Sequence, residues 1–302
     1  MRMVAAALFA LVLAGPAHAA LKPGQRATID VAVATLWKAP GIYRAIDRPS
    51  VTNPVEPIKW SKNLATTESR VWLDSHVQTQ ALYGQTVRVL EVRGGWAKVA
   101  VRDEPDPQDP RGYPGWLPSA QLTSGFDDRG KYVVAVSRNA PLLVHGRTLM
   151  LSYGTRLPLV KWGGDFAVVR TPDGVGTLSG VEEPLRYSAA SIVRQAERFV
   201  GVRYLWGGLS AWGYDCSGLV WAVYRAHGIT IPRDADAQFA AGTPVALAKV
   251  GPGDLLFYES PVVGHVSMAI GNGQMIEAPN SRSEVRIVPI RTSDFRGARR
   301  FF

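Results

Sequence analysis

Short apolar runs broken by glycine and proline fill the first part of the chain. Val31 to Trp37, Thr86 to Val92, Trp96 to Val101 and Gly115 to Leu117 are such runs. Apolar segments closely spaced between turn residues predict strands, and this stretch, residues 30–122, reads as a small β-barrel or sandwich. Inside it, the proline-rich segment Asp103 to Pro110 reads as a rigid polar loop. A second strand-rich stretch runs from Tyr132 to about Thr177 and lies within residues 131–184. Both stretches place a Gly-Gly turn before an aromatic strand, at Gly94-Gly95-Trp96 and at Gly163-Gly164-Asp165-Phe166. We read this as an internal repeat of two small barrels.

After Glu182-Glu183-Pro184 the period changes. Ile192, Val193, Ala196, Phe199 and Val200 fall on one face of a helix that Gly201 is placed to stop. Leu219, Val220, Val223 and Tyr224 mark a second helix, closed by His227-Gly228. Strands are expected over 254–259, 265–270, 274–278 and 285–290. Helices followed by hairpin-linked strands predict an α+β domain over 185–302.

Residues 1–19 have a different character. Arg2 precedes an apolar run from Val4 to Ala14, and Ala17-His18-Ala19 has the small-residue form of a leader cleavage site. The run is shorter than the ~20 residues that span a bilayer, and no later stretch reaches that length, so the mature chain is expected to be exported and not transmembrane. A buried N-terminal helix is the alternative. The 34 Lys and Arg against 25 Asp and Glu give a formal net charge of +9, which suits nucleic acid, a membrane surface or an anionic wall. Export favours the wall, in the periplasm or cell envelope. One cysteine excludes a disulfide framework and a Cys-rich zinc site.

That cysteine, Cys216, lies where the second helix should begin, with Asp215 or Ser217 as its cap. A thiol at a helix N-terminus meets unpaired N–H groups and the positive end of the dipole, which favour the thiolate. An inert buried cysteine is the competing reading. A nucleophile needs a base, and the base an orienting group. His76 and His145 lie in the barrel stretches. His227 ends the helix that Cys216 starts, ~16 Å away at 1.5 Å per residue, and reads as a C-terminal helix cation. His265 remains, at the start of a strand. Gly271-Asn272-Gly273 reads as a three-residue hairpin loop that pairs Ile270 with Gln274 and Ser267 with Glu277. Glu277 then shares a face with His265, one pair along and within side-chain reach, where it can accept the second imidazole N–H. A two-residue turn would put it on the opposite face.

These residues carry a resemblance. Tyr204-Leu-Trp-Gly-Gly208 and Tyr214-Asp-Cys-Ser-Gly-Leu-Val220, with Ile231 to Gln238, Gly253 to Phe257 and Gly264-His-Val266 in order, resemble the NlpC family of papain-like cell-wall cysteine peptidases over about residues 188–302. Glu277 stands where the family commonly has His. Upstream, Val33 to Pro40, Thr79 to Gly84 and Gly112 to Pro118 are similar to γ-D-glutamyl-L-diamino-acid endopeptidases with two bacterial SH3-like domains. The implied fold is two all-β SH3-like barrels followed by an α+β papain-like domain. The resemblance also implies that Tyr113 leans over the site and, with Asp215, holds the amine of an N-terminal L-Ala, that Ser217 lies near the D-Glu carboxylate and that Tyr204 lies near the thiolate. Gln85 and Ala235 stand where the family often has Glu and Ser.

The expected protein is an exported cysteine endopeptidase cutting the γ-D-glutamyl–diaminopimelate or –lysine bond of wall peptides with a free L-Ala. Cys216 is the nucleophile, His265 the base and acid, and Glu277 the orienting group. No metal or organic cofactor is implied. Its partners are peptidoglycan-derived peptides rather than nucleic acid, and it is expected to be a monomer. The rivals are a hydrolase or amidase of intact peptidoglycan and a non-catalytic wall-binding protein. Most of the nine Trp and ten Tyr are expected in cores. Arg233 and Asp234 read either as substrate contacts or as a local ion pair.

Overall fold

The computed structural model describes residues 21–259 and 261–302, so the leader expected at 1–19 lies outside the described residues. Seven strands form the first sheet: β1 (Arg26–Ile29), β2 (Val33–Trp37), β3 (Val77–Leu82), β4 (Thr86–Arg93), β5 (Trp96–Val101), β6 (Tyr113–Pro118) and β7 (Leu122–Thr123). Seven more form the second: β8 (Tyr132–Ala135), β9 (Asn139–Val144), β10 (Arg147–Ser152), β11 (Arg156–Trp162), β12 (Phe166–Thr171), β13 (Gly174–Ser179) and β14 (Val181–Glu182). Their orders are β3-β2-β6-β5-β4-β1-β7 and β10-β9-β13-β12-β11-β8-β14. Position by position these are one topology, which is the repeat expected from the two Gly-Gly turns. Strict alternation appears in β9, where Ala140, Leu142 and Val144 point inward. One apolar core runs through both barrels, joining Ile29, Val99 and Leu117 of the first to Val133, Leu142 and Val169 of the second.

The first barrel also holds a helical insertion between β2 and β3 that the sequence reading took for strands and turns. It contains α1 (Pro57–Asn63) and α2 (Thr67–Val71), flanked by short 3₁₀ segments at Ala45–Ser50 and Trp72–Ser75. Both helices are too short to show a helical period, and Pro49, Pro54 and Pro57 interrupt the stretch. Tertiary contacts hold it instead. Trp37, Trp60, Leu64 and Leu73 bury a small core with Leu205 of the last domain, and the Trp60 indole donates to Asp47 at 2.9 Å.

The last domain begins with α3 (Ala189–Glu197), capped by Ser188, whose hydroxyl accepts from Ser191 N–H. A two-stranded ribbon of β15 (Leu209–Ser210) and β16 (Gly213–Tyr214) leads into α4 (Cys216–Ala226), and α5 (Ala235–Ala241) follows. The sheet contains β17 (Thr243–Val245), β18 (Leu255–Tyr258), β19 (His265–Gly271), β20 (Gln274–Glu277), β21 (Arg286–Pro289) and β22 (Phe295–Arg300), in the order β17-β22-β18-β19-β20-β21. Every residue of α4 is buried, in a core shared with Phe199, Phe257, Val266 and Met268. The sequence reading found α3, α4 and β18 to β21 but not the β15–β16 ribbon, α5, β17 or β22. Among the described residues no helix is long and apolar enough to cross a membrane.

Buried polar contacts tie the barrels to the last domain. Gln80 of β3 accepts from Leu209 N–H at 3.1 Å and from the Ser210 hydroxyl at 2.9 Å. Arg225 of α4 reaches Asp103 at 2.9 Å and the Gly154 carbonyl at 3.3 Å.

Candidate active site

Asp215 caps α4, accepting from Gly218 N–H at 2.6 Å, and sets Cys216 in the first helical position. A Cβ at Gly218 would lie 2.0 Å from the Gly208 carbonyl oxygen, so the close approach of the preceding loop requires glycine there. Cys216 is 9% exposed, at the wall of a cleft of about 240 Å³.

His265 opens β19, and the β19–β20 hairpin brings Glu277 to it, though not as expected. The turn has two residues, Asn272 and Gly273, with φ of 51° and 70°, and it pairs Gly271 with Gln274. Such a turn alone would have sent Glu277 to the opposite face. A bulge at Ile270 restores the phase: Ala269 faces Met275 and Met268 faces Ile276, which carries on to set Ser267 opposite Glu277. The side-chain geometry follows. His265 Nε2 lies 2.9 Å from Glu277 Oε2, which leaves Nδ1 as the ring nitrogen available to the neighbouring Cys216 side chain.

Glu277 carries more partners than the sequence reading assigned. Arg291 donates to Oε2 at 2.9 Å, and Arg286, its cross-strand neighbour, donates to Oε1 at 3.1 and 2.8 Å. Burial opposes ionisation, but hydrogen bonds from His265, Arg291 and Arg286 outweigh it and hold the carboxyl at about 2. Burial likewise pushes the His265 imidazole down, and the hydrogen bonds and charges of Cys216 and Glu277 lift it to about 9. Glu277 is therefore ionised beside the ring and favours its imidazolium form. The pairing of Glu277 with Arg286 could have been found by extending the hairpin register into the next strand.

The other expected residues sit around the thiol. Tyr204 is buried, and burial, then the nearness of Cys216, keeps its phenol protonated. Tyr113, Asp215 and Ser217 all line the cleft. The Tyr113 hydroxyl donates to Asp234 at 2.8 Å. Asp215 and Ser217 are held by Arg233, which grips both Asp215 oxygens at 3.1 and 2.6 Å and donates to the Ser217 hydroxyl at 2.8 Å. Arg233 thus places its hydrogen bonds on Asp215, Ser217 and Thr79, while keeping a looser ion pair with its neighbour Asp234 at 4.0 Å. Thr79, of the first barrel, accepts from it at 2.9 Å and in turn donates to Glu104 at 2.7 Å. Burial raises the Glu104 carboxyl to about 8 despite Arg233.

The remaining histidines stand apart. His76 stacks on Trp72, and His145 meets the Asp173 carbonyl. His227 is a correction to the sequence reading: burial pushes its imidazole down, and it bonds the Val223 carbonyl at 2.8 Å and Ser191 at 2.9 Å, so it closes α4 as a neutral group rather than a cation.

Known proteins share these features. The NlpC/P60 family model matches residues 201–298, and that of the bacterial dipeptidyl-peptidase Sh3 domain matches residues 73–122. A gamma-D-glutamyl-L-lysine dipeptidyl-peptidase of Bacillus cereus is 38% identical over 313 residues, spanning 94% of this chain and 93% of the relative. One of Bacillus subtilis is 34% identical, spanning 87% and 93%. The crystal structure of an NlpC/P60 family protein from Bacillus cereus superposes with a TM-score of 0.88 at 36% identity, covering 92% of this chain and 99% of the other.

Proposed function

The chain belongs to the NlpC/P60 family and is a cysteine peptidase, and from that premise we propose that it cuts the γ-D-glutamyl–diamino acid bond of peptidoglycan stem peptides with a free N-terminal L-Ala, in the cell envelope. The buried line Cys216–His265–Glu277, beside a cleft that Tyr113 of the first barrel helps to line, carries the reading. The Cys216 thiolate attacks the γ-carbonyl carbon of D-Glu. The N–H groups at the start of α4, including that of Cys216, receive the oxyanion. As the C–N bond breaks, the His265 imidazolium protonates the departing amine, leaving a thioester on Sγ. Neutral His265 then takes a proton from water, which attacks the thioester and frees the dipeptide. Glu277 keeps the ring in register throughout.

The names of the two Bacillus relatives support the bond assignment. The cleft supports the demand for a free amine: Tyr113, Asp215 and Asp234 line it with oxygen acceptors, the first and last of them hydrogen-bonded to each other. Charge-assisted hydrogen bonds to a cation contribute ~1.5–3 kcal/mol, so acetylating the amine of L-Ala-γ-D-Glu-diaminopimelate is expected to lower kcat/KM by about 10- to 100-fold. Mass spectrometry of both peptides measures this. Equal rates would overturn the amine pocket, and no release of L-Ala-D-Glu from the free peptide would overturn the bond.

The pH profile gives a separate expectation. The imidazolium is the acid for the departing amine, and it persists up to about 9, so kcat/KM falls as pH rises through about 9. Glu277→Gln removes the carboxylate beside the ring and leaves Arg286 and Arg291 facing it. That change is expected to move the basic limb down by roughly 1–2 pH units. A limb that stays in place in this variant would show that Glu277 does not act through His265.

A further inference from the structure

The cleft is not symmetric in charge. A second cavity of about 240 Å³, lined by Pro105, Gln108 and Ala240, shares Tyr113, Asp234 and Asp236 with the cleft but neither Cys216 nor Lys38. The acidic group therefore lies where the two cavities adjoin, a boundary that Lys38 does not line, and the rest of the cleft wall includes Lys38, Gln78 and Trp206. Lys38 follows β2 and is exposed. Its ammonium makes no ion pair among the described residues and donates a long hydrogen bond to the Asp74 carbonyl at 3.4 Å. The Asp74 carboxylate is half-buried and accepts instead from the Ser281 hydroxyl at 2.5 Å, with Arg282 a second cation beside it. The Trp206 indole is fixed by its N–H bond to the Val77 carbonyl at 3.0 Å, which gives this end an apolar wall as well as a cation.

We propose that Lys38 makes this end of the cleft a subsite for the carboxylate-bearing side chain of the departing diamino acid, so that diaminopimelate is preferred to lysine. The proposal rests on the peptide direction given above: with the L-Ala amine at Tyr113 and Asp234 and the γ-carbonyl at Cys216, the diamino acid extends towards Lys38. The two amino acids differ there by one group. Lysine ends in an ammonium, which Lys38 repels, whereas diaminopimelate ends in an ammonium and a carboxylate, and the carboxylate meets the Lys38 cation. The methylenes of either lie along Trp206. Selection by charge, rather than by size, would separate this chain from relatives whose names carry lysine.

The test is the ratio of kcat/KM for L-Ala-γ-D-Glu-meso-diaminopimelate to that for L-Ala-γ-D-Glu-L-Lys, in wild type, Lys38→Met and Lys38→Glu. Opposite signs of a partly screened interaction predict a ratio of about 10 in wild type, near 1 in Lys38→Met and below 1 in Lys38→Glu, shrinking with added salt. Thermal melting of each variant checks its fold. A wild-type ratio of 1 or less, or a ratio that does not move in the folded variants, overturns the subsite and leaves the bond assignment standing. Cleavage of neither peptide overturns the bond assignment, and the subsite with it.

Discussion

Cys216→Ala is expected to reduce release of L-Ala-D-Glu by at least about 10⁴-fold while leaving the fold intact. Removing the nucleophile from a coupled catalytic set costs nearly as much as removing the whole set, because the base has nothing left to activate. The structural consequence is small by contrast. Asp215 still caps α4 through Gly218, alanine favours a helix, and the side chain lost is a single sulfur at the edge of a cleft. The melting temperature should therefore barely change. Cys216→Ser gives a further check: it keeps a hydroxyl near Nδ1 of His265 but supplies no thiolate, and it too should be nearly inactive. Mass spectrometry of the tripeptide reaction and a thermal melt by circular dichroism read the two effects separately. Residual activity above about 1% in the folded Ala variant would remove Cys216 from the chemistry.

The largest stability effect is expected at Arg233. The side chain is 1% exposed and holds Asp215, Ser217 and Thr79 at once. Arg233→Met fills much of the volume but strips Asp215 of its counter-charge and leaves Thr79 without a donor. Breaking a buried ion pair from one side costs ~3–5 kcal/mol, which corresponds to a fall of roughly 10 °C in the melting midpoint. Arg233→Lys should recover only part of this, since an ammonium cannot grip both Asp215 oxygens and reach Thr79 as well. Calorimetry on the full chain measures both variants. A Met variant that melts with wild type would show the network to be dispensable.

Much of the line Cys216–His265–Glu277 was legible because its signals are local. Cys216 announces itself by its place before a helical period, and His265 by its place at the head of an apolar strand. Glu277 was reached through a loop that proved one residue too long, and the right face resulted because the Ile270 bulge cancels the shorter turn. A bulge leaves little trace in the residues themselves, so the pairing could be guessed but not its cause. Arg286 and Arg291 went unassigned to Glu277, since an exposed arginine on an edge strand and a half-buried one just beyond it look like solvated charge until the neighbouring strand is in place. Arg233 was ambiguous for a similar reason. Its partners lie 18 residues further back along the chain at Asp215 and 154 back at Thr79, and only the assembled fold brings them together. The helical insertion escaped because its stability comes from Trp37, Trp60 and Leu205, not from its own periodicity.

Tyr113 and Lys38 come from the first barrel, whereas Cys216, His265 and Glu277 belong to the last domain. Under the reading proposed above, cutting resides on the last domain alone, whereas choosing is shared, with Asp215, Asp234 and Trp206 on that domain and Tyr113 and Lys38 on the barrel. Inheritance can act on the barrel's share separately: exchanging the barrel, or drifting a few of its rim residues, would redirect the enzyme to another peptide while the cutting apparatus passed unchanged to the descendant.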